Sequence, residues 1–325
     1  MDKEQHEMKK IACIVGPTAS GKTALSIAVA ERFGCEIIGC DSMQIYRYMN
    51  IGTAKPTEKE KRGVAHHLID FLTPDKSFSA EAYRALAMEA ISDITLRGAF
   101  PLVVGGTGLY LDTLLRKQSA EVPQSNPEYR NKILSGISSD ADVEALWQRL
   151  HSIDPESAEI IHKNNIKRVI RAIEVYDATG KPKSYWDKLS KEENTEISAL
   201  IIVLDFHNRE ILYERIDKRV DNMVKDGLVD EVKSLWDMGY LHGNDTASSA
   251  IGYKEITEYL RGECELDEAI SKIKLASRRY AKRQLTWFRH EAGAKTVYAD
   301  NTDGALRNIE ELLCEITGVV SEFKE

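Results

Sequence analysis

The chain has 325 residues, twice the ~150 of a usual domain, so two domains or one large domain with an insertion are expected. Hydrophobic residues at 42% and charged residues at 30%, with 20 Gly and 8 Pro, exclude a collagen-like, low-complexity or largely disordered chain. A formal charge of −8 excludes bulk attraction to nucleic acid and leaves local basic patches open.

From Ile11 the chain alternates short apolar runs with helical patterns, the signature of a parallel sheet with crossover helices. Strands are expected at Ile11–Val15, Glu36–Cys40, Leu68–Phe71, Leu102–Val104, Ala199–Leu204 and Thr296–Ala299. Helices are expected at Thr23–Phe33, ending on Gly34, and at Ser79–Arg97, ending on Gly98. Residues 116–198 break this rhythm: helical patterns at Asp142–Ile153, Pro155–His162 and Ile166–Thr179 are punctuated by Pro123, Pro127, Pro155 and Pro182. This stretch reads as an all-helical insertion domain, between a core formed by residues 1–115 and 199–325. Later helices are expected from Asn208 to Met223 and at Leu228–Met238, Ser248–Leu260 and Leu266–Phe288. The fold class is α/β: a phosphate-loop, doubly wound parallel sheet carrying the insert.

No apolar run approaches the ~18 residues of a spanning helix, and the charged first ten residues lack the apolar core of a leader, so no membrane partner and a cytoplasmic protein are expected. Cys13, Cys35, Cys40, Cys264 and Cys314 form no C-x-x-C pair and are expected to be reduced thiols. His66 and His67 are adjacent, point to opposite faces of a strand and lack a third ligand, which favours packing over metal binding.

The sharpest motif is GPTASGKT, from Gly16 through Thr18, Ala19, Ser20, Gly21 and Lys22 to Thr23, set between a predicted strand and a predicted helix. Backbone N–H groups, the Lys22 charge and the helix dipole would cradle a diphosphate or triphosphate, with the Thr23 hydroxyl available to Mg²⁺. At the end of the second strand, Asp41-Ser-Met-Gln44 puts a carboxylate where open α/β sheets build their sites, able to hold Mg²⁺ through water or to accept a proton. Gly105-Gly-Thr107-Gly108, after the fourth strand, either admits a substrate close to the backbone or simply makes a tight turn into a helix. It lacks the acid of a motor ATPase. Arg215 and Arg219 share a helix face and either reach a diphosphate or pair with neighbouring acids.

Two basic segments stand out. Residues 161–186 hold six basic residues against two acids, and residues 272–295 hold eight against one, the latter interleaved with Tyr280, Trp287 and Phe288. Beside a phosphate cradle they point to a polyanionic substrate.

Taken together, GPTASGKT, DSMQIYR, Ile51-Gly-Thr-Ala-Lys-Pro56, HHLID, GGTGLY, the helix from Ile166 to Val175 and RYAKRQLTW ending at Trp287 occur in the order seen in tRNA dimethylallyltransferases. The chain resembles the bacterial form of that family from about residue 10 to residue 300. The resemblance implies transfer of a dimethylallyl group from dimethylallyl diphosphate to the exocyclic amine of the adenine just 3′ of the anticodon, in tRNAs reading codons that begin with U. It implies diphosphate binding by Gly16, Thr18, Ala19, Ser20, Gly21, Lys22, Thr23 and Arg219, with Mg²⁺ at Thr23, and Asp41 as the base that orients the amine and takes its proton. It implies tRNA contacts from Asp41, Ser42, Met43, Gln44, Thr107 and Arg130, and from Lys167, Arg168, Val169, Ile170 and Arg171 on the insert. Further contacts would come from Ser248, Gly252, Tyr253, Lys282, Arg283, Gln284, Trp287 and Arg289. Lys167 stands where some relatives have glutamine. A monomer is the default expectation. The alternatives are an adenylate dimethylallyltransferase acting on free nucleotide, which would need no extended basic surface, a phosphate-loop kinase of a small molecule, and a noncatalytic RNA-binding module, disfavoured by the intact Lys22, Thr23 and Asp41.

Overall fold

The computed structural model describes residues 8–116, 126–190, 196–243 and 246–325; Pro123 and the first seven residues lie outside them. In the first segment the strands are β1 (Lys9–Val15), β2 (Cys35–Cys40), β3 (His66–His67) and β4 (Phe100–Gly105), joined by helices α1 (Lys22–Phe33), α2 (Glu58–Lys61) and α3 (Ala80–Leu96) and followed by α4 (Gly108–Leu115). The middle of the chain is helical: α5 (Pro127–Ser135), α6 (Asp140–Ile153), α7 (Pro155–Ile160), α8 (Ile166–Thr179) and α9 (Lys183–Ser190). Then come β5 (Ile197–Asp205), α10 (Arg209–Lys225), α11 (Leu228–Asp237), α12 (Tyr253–Leu260), α13 (Leu266–Phe288), β6 (Lys295–Tyr298) and α14 (Ile309–Lys324).

The six strands form one sheet in the order β3-β2-β4-β1-β5-β6, every pair parallel. Parallel sheets are covered on both faces, which is why Ile11 to Val15 on the central β1 are buried without alternation. The chain moves one way across the sheet through α1 and back through α3, so right-handed crossovers put these helices on opposite faces. On the α1 side, Leu25 and Val29 pack with Leu312, Ile316 and Val320 of α14 over the sheet. The sheet is therefore doubly wound. A second cluster, with Met49, Val220, Leu228, Val232, Tyr253 and Ile273 among its members, forms beside α10 to α13.

By its internal contacts the chain separates into two compact units, residues 1–114 with 196–325, and residues 115–195. The second unit has its own core: Leu150, Ala158, Ile161, Val169, Ala172 and Ile173 interlock α6, α7 and α8. The Trp147 indole N–H closes it on the Ile161 carbonyl at 3.0 Å. No helix among the described residues is long and apolar enough to cross a membrane.

Besides the short helices α2, α4, α5 and α9, three elements depart from the pattern read in the sequence. The third strand is His66–His67, not Leu68–Phe71, because Leu68 and Asp70 sit at φ 57° and 58°, in the left-handed region where a strand cannot continue. The helix expected from Ser248 starts only at Tyr253, since Gly252 at φ 96° breaks the preceding turns and the Glu255 side chain caps its N–H. Helix α14 was not anticipated, although its Asn308 to Glu311 capping box is a readable start signal.

Candidate active site

The sheet order places β2, β4 and β1 side by side, so the segments leaving their carboxyl ends meet. After β1 comes the Gly16–Lys22 loop, after β2 the Asp41–Gln44 turn, and after β4 the Gly105–Gly108 turn. Residues of all three segments line a cavity of about 400 Å³, closed by α10, α13, the 52–54 loop and the turns before α12.

Within the first loop Ala19 adopts φ 62°, a conformation costly for a residue with a side chain, and Arg215 Nε donates to its carbonyl at 2.8 Å. Arg215 thus braces the loop. Gln284 of α13 does the same from another side: its Oε1 accepts the Thr18 N–H at 2.8 Å and its Nε2 donates to the Gly106 carbonyl at 2.9 Å. The loop runs directly into α1, whose first N–H groups have no side-chain cap, so a positive dipole end faces the cavity. Thr23 is exposed there, while the Ser20 hydroxyl is buried with no hydrogen-bond partner.

Lys22 Nζ donates to the carbonyls of Gly16 at 3.0 Å and Pro17 at 2.6 Å. Burial, and then the Arg219 guanidinium, push its ammonium down to about 7, with Asp41 pulling the other way. Burial also lowers Arg219, against the attraction of Asp41. With Arg283, the cavity wall carries three cations against the single carboxylate of Asp41. An enclosed positive excess of this kind calls for a polyvalent anion.

Asp41 caps its own turn: Oδ1 accepts from the N–H groups of Met43 at 2.9 Å and Gln44 at 3.3 Å. Oδ2 takes no hydrogen bond from the described residues. The Thr107 hydroxyl accepts the Ser42 N–H at 3.0 Å, tying the second turn to the third. Tyr280 of α13 borders the same space, its hydroxyl pushed up first by burial and then by the Asp41 carboxylate.

Of the residues singled out in the sequence, Thr18, Lys22, Thr23, Asp41, Ser42, Met43, Gln44, Arg219, Gly252, Tyr253, Arg283 and Gln284 line this cavity. Gly16, Ala19, Ser20, Gly21 and Thr107 build the loops behind it. Several sit differently from expectation. Tyr253 lines the cavity from a fully buried position, its hydroxyl donating to Glu231 at 2.6 Å, so it offers no outer surface to RNA. Arg289 Nε and Nη2 both donate to Oδ2 of the buried Asp205, at 3.0 and 2.8 Å, so this exposed cation is already paired within the protein. Of the glycines after β4, Gly105 and Gly106 line the cavity, and Gly106 and Gly108 are also needed because the Gln284 amide and the Trp287 indole lie against them, where a Cβ would come within 2.2 and 2.5 Å. Trp287 Nε1 also reaches Asp112 at 3.3 Å, and Ser248 donates to the Gly243 carbonyl at 2.6 Å.

In the helical unit, Lys167 and Arg168 are exposed, whereas Val169 and Ile170 are buried, so their side chains hold α8 and offer no RNA surface. Arg130 and Arg171 share the buried Glu174, at 3.0 and 2.9 Å. His66 and His67 bind the Val64 carbonyl and the Glu36 carboxylate.

A profile described as IPP transferase matches residues 44–291. A tRNA dimethylallyltransferase from Thermoanaerobacter sp. (strain X514) is 47% identical over 304 residues, spanning 93% of this chain and 95% of its own. The chain belongs to the tRNA dimethylallyltransferase family. The crystal structure of the full-length tRNA isopentenylpyrophosphate transferase from Bacillus halodurans matches with a TM-score of 0.69 at 41% identity, covering 97% of this chain and 98% of that one. A eukaryotic dimethylallyltransferase acting on tRNA matches with a TM-score of 0.81 at 29% identity, over 97% of this chain and 80% of that one. The family pattern was readable in the loop residues; the bracing by Arg215 and the wall formed by Gly52, Thr53, Ala54 and Tyr280 were not, because these roles depend on neighbours remote in sequence.

Proposed function

We propose that this chain transfers the dimethylallyl group of dimethylallyl diphosphate to the exocyclic amine of the adenine 3′ of the anticodon in tRNA, releasing diphosphate. The observation that carries the reading is the convergence, on one cavity, of a cationic loop at a helix N-terminus with a carboxylate beside a carboxamide. The loop amides, Lys22 and Arg219 bind the diphosphate and stabilise the charge that grows on it as the carbon–oxygen bond breaks. The amine lone pair forms the new carbon–nitrogen bond. Its surplus proton passes to Asp41, whose Oδ2 is the available acceptor. The Asp41 turn is held by its own backbone, so the carboxylate needs no reorganisation during transfer.

Mg²⁺ suits the donors present: the Thr23 hydroxyl and the Asp41 carboxylate are hard oxygens, and no group of three His, Cys, Asp or Glu among the described residues could bind a metal without other ligands. Held by Thr23 together with diphosphate oxygens and water, it would supply further charge neutralisation to the leaving group. The acceptor adenine must leave its stack, and the exposed Lys167, Arg168, Arg279 and Lys282 are suited to the phosphates of the anticodon arm that would offset this. We propose a cytoplasmic monomer.

The test is incorporation of labelled dimethylallyl diphosphate into an unmodified anticodon stem-loop, beside AMP and ATP as rival acceptors, with Mg²⁺ present. Label in the stem-loop alone supports the reading. Label only in mononucleotide, or ATP consumption without transfer, replaces it with an adenylate prenyltransferase or a kinase.

A further inference from the structure

Glu231, on α11, lies outside every motif above, yet its carboxylate holds four donors. Oε2 accepts the backbone N–H groups of Asn50 at 2.9 Å and Ile51 at 2.8 Å; Oε1 accepts the Gly52 N–H at 3.1 Å and the Tyr253 hydroxyl at 2.6 Å. Three successive amides aimed at one anion form a nest, and charge-assisted bonds of this kind are the strong ones. The Tyr253 ring completes the clamp: it lies so close behind Gly52 that a Cβ there would come within 2.5 Å of it.

The clamped turn leads straight to the acceptor side of the cavity. Its next two carbonyls, of Thr53 and Ala54, accept from Gln44 Nε2 at 3.2 and 3.3 Å. The Thr53 hydroxyl pins the turn from below on the Met49 carbonyl at 2.7 Å. A carboxamide can rotate to exchange its oxygen and nitrogen, but here exchange would set an oxygen against two carbonyl oxygens. The Gln44 amide is thus fixed in one sense, with Oε1 receiving no hydrogen bond from the described residues, on the same turn as Asp41.

We infer that Glu231 is a positioning residue for the acceptor: through the 50–54 turn it locks the Gln44 carboxamide so that its oxygen accepts from an N–H donor, the exocyclic amine of the reacting base. The inference rests on the prenyl-transfer reading. A base carrying a carbonyl oxygen at that position, as hypoxanthine does, would meet the Gln44 oxygen with another acceptor and be rejected. In Glu231→Gln an NH₂ group would face the amides it must accept from, and the turn would loosen.

The experiment uses the full-length enzyme and two anticodon stem-loops, identical but for adenine or inosine at the acceptor position. Their binding is measured along with kcat and the donor KM. Wild type should bind the adenine stem-loop more tightly. In Glu231→Gln that preference should collapse, with kcat down about tenfold to a hundredfold, the range found when the shell supporting a reacting group is loosened, and the donor KM unchanged. Combining Glu231→Gln with Gln44→Ala should cost no more than the worse single change, because both act through one amide. Tyr253→Phe, which removes one of the four donors and no backbone contact, should show a milder form of the same loss and keeps the test open if Glu231→Gln folds poorly. A retained adenine preference in both Glu231→Gln and Tyr253→Phe, additive losses in the double variant, or an effect confined to the donor KM would overturn the inference. Wild type that transfers no prenyl group would instead overturn the reading it rests on.

Discussion

Helices α8 and α13 lie in the two most basic stretches of an acidic chain, and they use their charge differently. In α13 much of the positive charge is already paired, mostly in part-exposed ion pairs: Lys274 pairs with Asp221 and Arg278 with Asp217 of α10, Lys272 with Glu258 and Glu268, and Arg289, just past the helix end, with Asp205. Arg279 and Lys282 make no ion pair with the described residues, and Arg283 lies over the Tyr280 ring. In and around α8 the pairs are fewer: Arg171 shares Glu174 with Arg130, and Lys163 and Lys183 bind Glu144 and Asp187, leaving Lys167 and Arg168 exposed at the start of the helix. Residues 272–295 and residues 161–186 therefore present similar numbers of available cations. A count along the sequence records the bases but not the carboxylates that distant helices bring to them.

The largest effect is expected in the cavity, where Lys22 bonds only backbone carbonyls and has no carboxylate within ion-pair distance among the described residues. Lys22→Met should lower kcat/KM for dimethylallyl diphosphate by about 10²- to 10³-fold, the cost of removing one donor from a preorganised anion site. On the proposed mechanism the charged form of Lys22 binds the diphosphate, and burial with the Arg219 charge pushes its ammonium down to about 7. The same kcat/KM should thus decline as pH rises through about 7, and a Lys22→Arg enzyme should lack that limb. Next comes Arg289→Ala, which strands the buried Asp205. Because Asp205 is buried but its partner is half-exposed, the protein should lose about 1 to 3 kcal/mol in denaturant titration while the salt dependence of tRNA binding stays unchanged. A flatter salt slope with intact stability would return Arg289 to the RNA surface. Removal of Arg168, Arg279 or Lys282 should do the reverse, each reducing the slope of log K against log salt by about one with stability intact. Smallest is Lys274→Ala: an exposed pair of this kind contributes less than about 1 kcal/mol, and neither slope nor transfer rate should move.

The same contrast explains what could be read in the sequence. The loop residues Gly16 to Thr23 and the Asp41 turn were legible because their chemistry is local: successive amides, a lysine and a hydroxyl act from one short segment at a strand end. The sheet was legible from its buried runs, and α13 from Leu266 to Phe288, since a 23-residue amphipathic helix is hard to mistake. What escaped depends on pairings remote along the chain. Glu231 grips Asn50, Gln284 grips Thr18, and Asp205 holds Arg289, and nothing in the sequence links the two ends of any pair. Val169 and Ile170 were grouped with their basic neighbours by motif, although the helical period that buries them was present in the sequence.

In the proposed mechanism Asp41 acts on the bound amine while the loop cations act on the leaving group. Single-turnover transfer from a preformed complex of enzyme, donor and stem-loop tests it most directly in Asp41→Ala. The chemical step should slow by about 10²- to 10⁴-fold with both substrate affinities within a few-fold of wild type. A normal chemical rate accompanied by lost stem-loop affinity would contradict it and make Asp41 a binding residue alone.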